Sequence, residues 1–252
     1  MSAARAAAMP TTLSIVIPVF NEERRLHKLL AGLQADAERV ASSLELELLE
    51  VIAVEDGSTD RSAELLAEFD GLPERFRVIR FPRNRGKGAA VRDGMLAARG
   101  DLALMTDADL STPLDELGLL LAAVREGADV AIGSRALDRT KVLVHQPIYR
   151  ELMGRAFNRL LRRITRLPWR DTQCGFKLFR LERAIRLFEL QRVEGFAFDA
   201  ELLVNARRLG LEVKEIAVRW IDDPDTHVGL VSSSAQMALD TLRIAYRSHR
   251  PL

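Results

Sequence analysis

Met105-Thr-Asp-Ala-Asp-Leu-Ser-Thr-Pro113 joins a predicted strand to a predicted helix and carries two aspartates. The apolar residues 102–105 indicate the end of a buried strand, and two carboxylates, Asp107 and Asp109, follow directly. A helix is predicted to start just after them, because Pro113 comes early and acidic residues follow in the first turn. Acidic residues between a strand and a helix lie at the carboxyl edge of a sheet, where α/β proteins bind ligands.

The two aspartates of this stretch are candidate metal ligands. Carboxylate oxygens are hard ligands, which suit Mg²⁺ or Mn²⁺, and such ions usually bind through one or two carboxylates plus the phosphates of a substrate. The stretch therefore predicts a metal-bridged diphosphate. Asp-x-Asp alone is also common in solvated turns, so the prediction depends on what else lies at the same edge.

Composition limits the possible classes of protein. The chain has 252 residues, 48% of them hydrophobic, with 36 acidic and 37 basic side chains. This length fits one sizeable α/β domain, and the balanced charge gives no support to nucleic-acid binding. The single cysteine, Cys174, excludes an intrachain disulfide and favours the cytoplasm. No window offers about 18 uncharged apolar residues, so any membrane contact is expected to be peripheral.

Strands and helices alternate through the first 135 residues. The predicted strands are Leu13–Phe20, Leu46–Asp56, Phe76–Phe81, 102–105 and Asp129–Arg135. Helical patterns separate them, so the sequence predicts the α/β class, with a Rossmann-like, mostly parallel sheet covered by helices on both faces.

The second half of the chain has a different pattern. Tyr149–Leu167 is a basic amphipathic helix, a pattern that fits either an anionic membrane surface or an ordinary helix packed on the sheet. Helices are also predicted at Ala184–Phe188, Phe198–Leu209 and Ser233–Ser248. Asp171–Phe179 is predicted to be a turn that enters a strand, and Val213–Ile221 a further strand.

Other polar residues follow the predicted strands and should lie at the same edge as the two aspartates. They are Asn21, Glu22, Asp56 and Arg135. The basic loop Arg83–Gly88 adds glycines that let the backbone approach a phosphate. Acids, a metal and basic groups at one edge fit a nucleotide diphosphate. The spacings of a Walker loop and of a dinucleotide-binding motif are both absent.

Five motifs, taken in order, resemble those of the inverting GT-A glycosyltransferases of family 2. They are Pro18-Val-Phe-Asn-Glu-Glu23, Glu55-Asp-Gly-Ser-Thr-Asp60, Asn84-Arg-Gly-Lys-Gly88, Asp107-Ala-Asp109 and Gly133-Ser-Arg135. Within that group, Arg170–Phe179 and Phe196–Leu203 resemble the dolichyl-phosphate β-glucosyltransferases. The resemblance implies a GT-A domain over residues 12–252, after a flexible start at 1–11. Residues 12–135 would bind the nucleotide sugar, and residues 136–252 the acceptor.

The resemblance also implies which residues bind the donor, UDP-glucose. The implied nucleotide-sugar site consists of Pro18, Phe20, Glu22, Asp56, Lys87, Asp107 and Ala108. Phe20, Glu22 and Asp56 would contact the uridine base and ribose, and Lys87 would help to hold the nucleotide.

Mg²⁺ or Mn²⁺ would be bound by Asp107 and Asp109. Ser111 stands where mannose-transferring relatives place a metal-ligating glutamine, so it is a further candidate, as is His227. The family usually has two aspartates where this chain has Glu55-Asp56. Eukaryotic members carry an N-terminal membrane anchor that this sequence does not show.

The implied acceptor is a polyprenyl or dolichyl phosphate. Arg135 and Lys177 are the candidates for contacting its phosphate, and together with Asp109 and Asp199 they form the predicted catalytic set. A phosphate is already an anionic nucleophile, so its attack needs positioning more than a base. We therefore expect Asp199 and Glu201 to orient basic side chains. The enzyme is expected to be peripheral on the cytoplasmic face of a membrane.

Several alternatives stay open at this point. Another nucleotide sugar such as GDP-mannose could be the donor, or a hydroxyl acceptor could require Asp199 or Glu201 as a general base. A nucleotidyltransferase would carry a glycine-rich basic signature after the first strand, where this chain has Asn21-Glu-Glu23. A nucleotide-sugar sensor would be expected to lack the aspartate pair. The sequence gives no prediction of oligomeric state.

Overall fold

A computed structural model describes residues 11–144, 158–221 and 230–248. Its strands are β1 (Thr11–Val19), β2 (Leu46–Glu55), β3 (Phe76–Arg80), β4 (Leu102–Met105), β5 (Val130–Ser134), β6 (Val142–Val144), β7 (Lys177–Arg180), β8 (Val213–Ala217) and β9 (Trp220–Ile221). Seven of them form one sheet in the order β3-β2-β1-β4-β7-β5-β8, and β6 pairs with β9.

Helices connect the strands. They are α1 (Glu23–Ser43), α2 (Ser62–Ala67), α3 (Lys87–Ala97), α4 (Leu117–Arg125), α5 (residues 158–165), α6 (Leu181–Leu190), α7 (Phe198–Arg208) and α8 (Leu230–Ser248). Short 3₁₀ turns occur at Leu114–Glu116 and Arg139–Lys141. None of the helices in the described ranges combines the length and apolar character that crossing a membrane requires.

The central strands are buried on both faces, which explains their nearly continuous apolar sequences. In β1, for example, Ile15, Val16 and Ile17 are at most 1% exposed. One core on the first face contains residues of α1 and α4, and a second core on the other face contains residues of α3, α6 and α7. Leu161 of α5 and Ile244 of α8 belong to the second core. The predicted fold class is confirmed.

Strand β7 runs in the opposite direction to its neighbours. It pairs antiparallel with β4 on one side and β5 on the other, whereas the other described pairs of the central sheet are parallel. Its first residue, Lys177, therefore lies opposite Met105 of β4 and Ile132 of β5. The start of β7 thus reaches the edge at which the parallel strands end.

The predicted strand Val213–Ile221 was wrong in extent. The N–H of Val218 makes the last hydrogen bond to β5, at Ser134 O (3.3 Å). The chain leaves the central sheet beyond it, where Arg219 binds the carboxylate of Glu116. The chain then resumes as β9 in the small sheet. In the segment Tyr149–Leu167, helix is observed over residues 158–165, and residues 145–157 lie outside the described part.

Candidate active site

Hydrogen bonds connect the loop after β1 to the loop after β2. The side-chain oxygen of Asn21 accepts a hydrogen bond from Thr59 N at 2.8 Å, and the N–H of Glu22 donates to Ser62 Oγ at 2.8 Å. Asn21 has a positive φ of 53°, a conformation that asparagine tolerates better than most residues. Phe20 is left 41% exposed at the rim, and its predicted contact with uridine stays a prediction.

Asp56 organises the basic loop that precedes α3. Its carboxylate accepts hydrogen bonds from Arg85 N at 2.7 Å, Gly86 N at 2.8 Å and the Asn84 amide at 2.9 Å. Burial raises the pKa of Asp56, and the two backbone donors oppose that change. A Cβ at Gly57 would lie 2.3 Å from the backbone of Arg83, so the close approach of these loops requires glycine there. Asp56 therefore shapes the loop, and its predicted contact with uridine stays a prediction.

The aspartates Asp107 and Asp109 lie beyond the end of β4, as predicted. Nζ of Lys87 is 2.6 Å from Asp107 Oδ1. Arg25 connects the pair to the first loop, since its guanidinium lies 2.6 Å from Glu22 Oε2 and 3.9 Å from Asp109 Oδ2. The structure thus brings the predicted donor-site residues after β1, β3 and β4 to one edge.

The acidic groups at this edge affect one another. Burial raises the pKa of Asp109, and the negative charge of Asp107 raises it further. Burial tends to raise the pKa of Asp107, but the positive charges of Lys87, Lys177 and Arg135 together hold that pKa below its ordinary value. Burial likewise raises the pKa of Glu22, against the opposing effect of Arg25. The edge therefore concentrates negative charge that positive groups stabilise.

Lys177 and Asp199 form a buried ion pair beside the aspartates. The side chains are 1% and 5% exposed, and Nζ of Lys177 lies 2.5 Å from Asp199 Oδ1 and also donates to the carbonyl of Cys174. The structure places Asp199 against a lysine, in the orienting position expected for a phosphate acceptor. Because Lys177 is so deeply buried, its predicted direct contact with an acceptor stays a prediction.

Arg135, which follows β5, is held by the carboxylate of Asp171, for which the sequence predicted no role. Asp171 accepts from Arg135 Nε at 2.7 Å, from its terminal nitrogen at 2.9 Å and from its backbone N–H at 3.0 Å. Burial opposes the charge of Asp171, but Arg135 lowers the pKa of this carboxyl to about 2. The guanidinium lies 5.5 Å from the ring centre of Trp220, and its side chain is 33% exposed. Arg135 thus offers an oriented, accessible cation at the edge.

Glu201 has a structural position that the sequence did not reveal. Its Oε2 accepts hydrogen bonds from the backbone N–H groups of Arg192 at 2.8 Å and Val193 at 2.7 Å. The loop at 191–195 in turn supports the start of α3, since the Gln191 amide donates to Gly88 O at 2.7 Å. Glu201 therefore braces the segment that carries Lys87.

The remaining candidate metal ligands do not complete a coordination sphere in the described residues. The N–H of Ser111 donates to Asp109 Oδ1 at 2.9 Å, so Ser111 orients a candidate ligand. His227 lies outside the described residues. Within the described ranges, no three or more His, Cys, Asp or Glu side chains are arranged to hold a metal ion. An ion at Asp107 and Asp109 would need oxygens from a substrate or water, as Mg²⁺ usually does.

A mostly parallel sheet with paired aspartates, a basic loop and an oriented arginine at its carboxyl edge defines a nucleotide-sugar transferase of the GT-A class. The model for glycosyl transferase family 2 matches residues 14–188. The chain belongs to this family and is a glycosyltransferase.

Relatives match over most of the chain. A dolichyl-phosphate β-glucosyltransferase of Trichomonas vaginalis is 36% identical over 238 residues, which is 92% of this chain and 72% of the relative. The Drosophila melanogaster and human dolichyl-phosphate β-glucosyltransferases are 36% and 34% identical, each over 93% of this chain, and 74% and 75% of the relatives are covered.

Solved structures show the same fold. Glucosyl-3-phosphoglycerate synthase from Mycobacterium tuberculosis, solved with UDP, matches with a TM-score of 0.64 at 21% identity, covering 94% of this chain and 80% of that one. Mannosyl-3-phosphoglycerate synthase from Rubrobacter xylanophilus matches with a TM-score of 0.66 at 19% identity, covering 94% and 73%. A further structure of the Mycobacterium enzyme contains Mn²⁺ and UDP.

Proposed function

We propose that this enzyme transfers glucose from UDP-glucose to a polyprenyl phosphate, with dolichyl phosphate as one example, and inverts the sugar linkage. The names of the relatives support transfer of glucose to dolichyl phosphate, and structures of the Mycobacterium neighbour that contain UDP or UDP-glucose support the donor. The observation that carries the proposal is the placement of Asp107 and Arg135 on either side of β7. Two strand spacings separate β4 from β5, roughly 10 Å, which leaves room for a hexose between a donor diphosphate and an acceptor phosphate.

The donor half of the edge suits a divalent cation. Asp107 and Asp109 supply hard oxygen donors, and their mutual repulsion is the kind that a bound cation relieves. We propose Mg²⁺ or Mn²⁺ there, as Mn²⁺ accompanies UDP in a structure of the Mycobacterium neighbour. When bound, the ion would neutralise charge on the departing UDP. Lys87 would bind the same diphosphate, and the exposed ring of Phe20 would stack on the uridine.

The acceptor half would bind the lipid phosphate through Arg135. Asp171 fixes the guanidinium in a bidentate geometry, and planar guanidinium groups suit phosphate oxygens. One phosphate oxygen attacks the anomeric carbon of glucose, and the bond between that carbon and the β-phosphate oxygen of UDP breaks. The α-linked donor thereby gives a β-linked lipid phosphate. No proton has to be removed from the acceptor, in keeping with the engagement of Asp199 by Lys177.

A hydroxyl acceptor is the second candidate, because burial raises the pKa of Asp199, as is common for a general base. In that case Asp199→Asn would abolish transfer while UDP-glucose still bound. For a phosphate acceptor the same variant should keep measurable transfer at low temperature, and Arg135→Gln should impair use of the acceptor more than binding of the donor.

The direct test is an incubation of purified protein with a polyprenyl phosphate, Mg²⁺ or Mn²⁺, and radiolabelled UDP-glucose or GDP-mannose in parallel. Label from UDP-glucose should move into butanol-extractable lipid and should be lost on chelation of the metal. Arg39→Gln is a matched control, because Arg39 is 55% exposed and lies near the end of α1, whereas the edge is at the start of that helix. Label that enters a water-soluble product instead, or none from UDP-glucose, would contradict the proposal.

We also propose that the enzyme works peripherally at the cytoplasmic face of a membrane, where a polyprenyl phosphate would be presented. The basic amphipathic sequence at 149–167 supports this placement.

A further inference from the structure

A basic cleft lies between α7 and α8, away from the edge that carries the aspartates. Its volume is about 470 Å³. One carboxylate, that of Glu201, and four arginines line the cleft. The arginines are Arg192, Arg208, Arg243 and Arg247. Arg247 lies 3.4 Å from Glu201, and Arg243 lies 2.9 Å from Asp240 on its own helix. The side chains of Arg243 and Arg247 are still 58% and 39% exposed, so their charge remains accessible to a ligand.

An exposed apolar stripe borders this cleft. Leu239, Leu242 and Tyr246 of α8 are 52%, 56% and 63% exposed. Residues three and four apart lie on the same side of a helix, so the three form one stripe. Tyr246 also lines the cleft, so the stripe and the arginines share a border. Exposed apolar side chains beside basic ones are the pattern of a helix that lies at a lipid interface.

The cleft begins at Glu201, two residues after Asp199 on α7, and extends along that helix to Arg208, away from the edge that carries the aspartates. Asp199 begins α7 at the edge, and Arg208 ends α7 in the cleft. Nine residues at 1.5 Å each place these two positions roughly 14 Å apart. The residues proposed to bind UDP-glucose and the acceptor phosphate therefore do not account for this cluster of arginines.

We propose that the α7–α8 cleft binds the phosphate headgroup of an anionic phospholipid and docks the enzyme on a membrane surface. The arginines would pair with phosphate oxygens, and the stripe would enter the boundary between headgroups and acyl chains. The proposal rests on the proposed function, because a polyprenyl acceptor is itself held in a membrane. The exposed leucines favour a lipid over a nucleic acid, whose phosphate backbone offers no apolar layer for them.

Vesicle sedimentation tests the cleft. The full chain should sediment with vesicles of phosphatidylcholine mixed with phosphatidylglycerol, and much less with pure phosphatidylcholine. One basic residue near an anionic surface changes the binding constant about fivefold, so Arg208→Gln combined with Arg243→Gln should weaken binding roughly 25-fold. Arg39→Gln is the control. Arg39 is also exposed and pairs with Asp36 three residues earlier, and additionally with Asp115, but it lies on the opposite face of the sheet.

A second pair of variants tests the stripe. Leu239→Ser combined with Leu242→Ser should weaken vesicle binding even at high salt, because screening acts on charges and leaves apolar burial intact. The control is Leu119→Ser, since Leu119 of α4 is 41% exposed on the opposite face. Unfolding temperatures of all variants should match the wild type, which excludes misfolding as the cause.

Activity separates this proposal from the proposed function. Transfer of glucose to a short-chain polyprenyl phosphate dissolved in detergent should be unchanged in the cleft variants. Absence of that transfer in the wild type would contradict the proposed function alone. Wild-type vesicle binding by the double arginine variant would overturn the cleft proposal. So would preferential binding of glycerol phosphate or single-stranded RNA in place of the mixed vesicles.

Discussion

The buried pair of Lys177 and Asp199 allows stability and catalysis to be separated in one experiment. Both side chains are at most 5% exposed and their charged atoms are 2.5 Å apart. Removal of one member leaves the other as a buried charge without its partner, which typically costs about 3 to 5 kcal/mol. For a chain of this size that loss corresponds to a decrease in unfolding temperature of roughly 6 to 20 °C. Asp199→Asn should show it.

Replacement of both members by apolar residues should restore stability. Buried ion pairs exchanged for hydrophobic side chains of similar volume are often neutral, so Lys177→Met combined with Asp199→Leu should be within about 1 kcal/mol of the wild type. Transfer should remain at least about 100-fold reduced in this double variant, because a positive charge beside the reacting phosphates has been removed. The single variant Asp199→Asn, assayed in the cold, should retain more transfer than the double variant.

Urea unfolding measures the free energies of unfolding, and formation of labelled lipid measures the rates of glucose transfer. The reasoning would be refuted if the double variant were as unstable as the sum of the two single variants. A double variant that recovers full transfer would show that Lys177 has no part in the reaction. Complete loss of transfer in a folded Asp199→Asn protein would favour the hydroxyl acceptor.

Three other changes give distinct outcomes. Gly175→Ala should lower transfer more than tenfold, a ~1.4 kcal/mol effect in the barrier, because the added Cβ would lie 2.0 Å from Asp107 Oδ2; unchanged rates would contradict this packing. Asp109→Asn should abolish the Mn²⁺ dependence of UDP binding, measured by calorimetry, and persistent dependence would exclude Asp109 as a ligand. Because the pKa of Asp171 is lowered to about 2 in the folded protein, the ionised carboxyl should add about 2 kcal/mol to the free energy of unfolding above pH 4. Urea unfolding should show this contribution fall as the pH drops from about 4 to 2. The fall should be absent in Asp171→Asn.

The donor edge could be predicted from the sequence because local patterns determine it. The apolar run before Asp107 and the helix start after Pro113 define a strand end whatever the rest of the chain does. Alternating strands and helices then bring such ends together, since parallel strands share a carboxyl edge. The approach of Glu22, Asp107 and Asp109 follows from these rules, and the structure shows it.

The acceptor side could not be predicted in the same way. The position of Lys177 depends on an antiparallel strand inserted between β4 and β5, and no local pattern specifies that pairing. The partner of Arg135, Asp171, is 36 residues away in the sequence and is placed by Glu215, which accepts from its N–H at 2.7 Å. The position of Glu201 could not be predicted either. Its hydrogen bonds are to backbone N–H groups of a loop, and no side-chain pattern in a sequence marks such bonds.

The reversed strand has a consequence for dissecting this enzyme. A fragment of residues 12–135 would contain β1 to β5 but would lack β7, so β4 would keep a bare edge and β5 would have no neighbour in the sheet. Exposed edges of this kind promote aggregation. We therefore expect the fragment to aggregate, so chimeras between relatives should exchange side chains at the rim and leave the segment order intact.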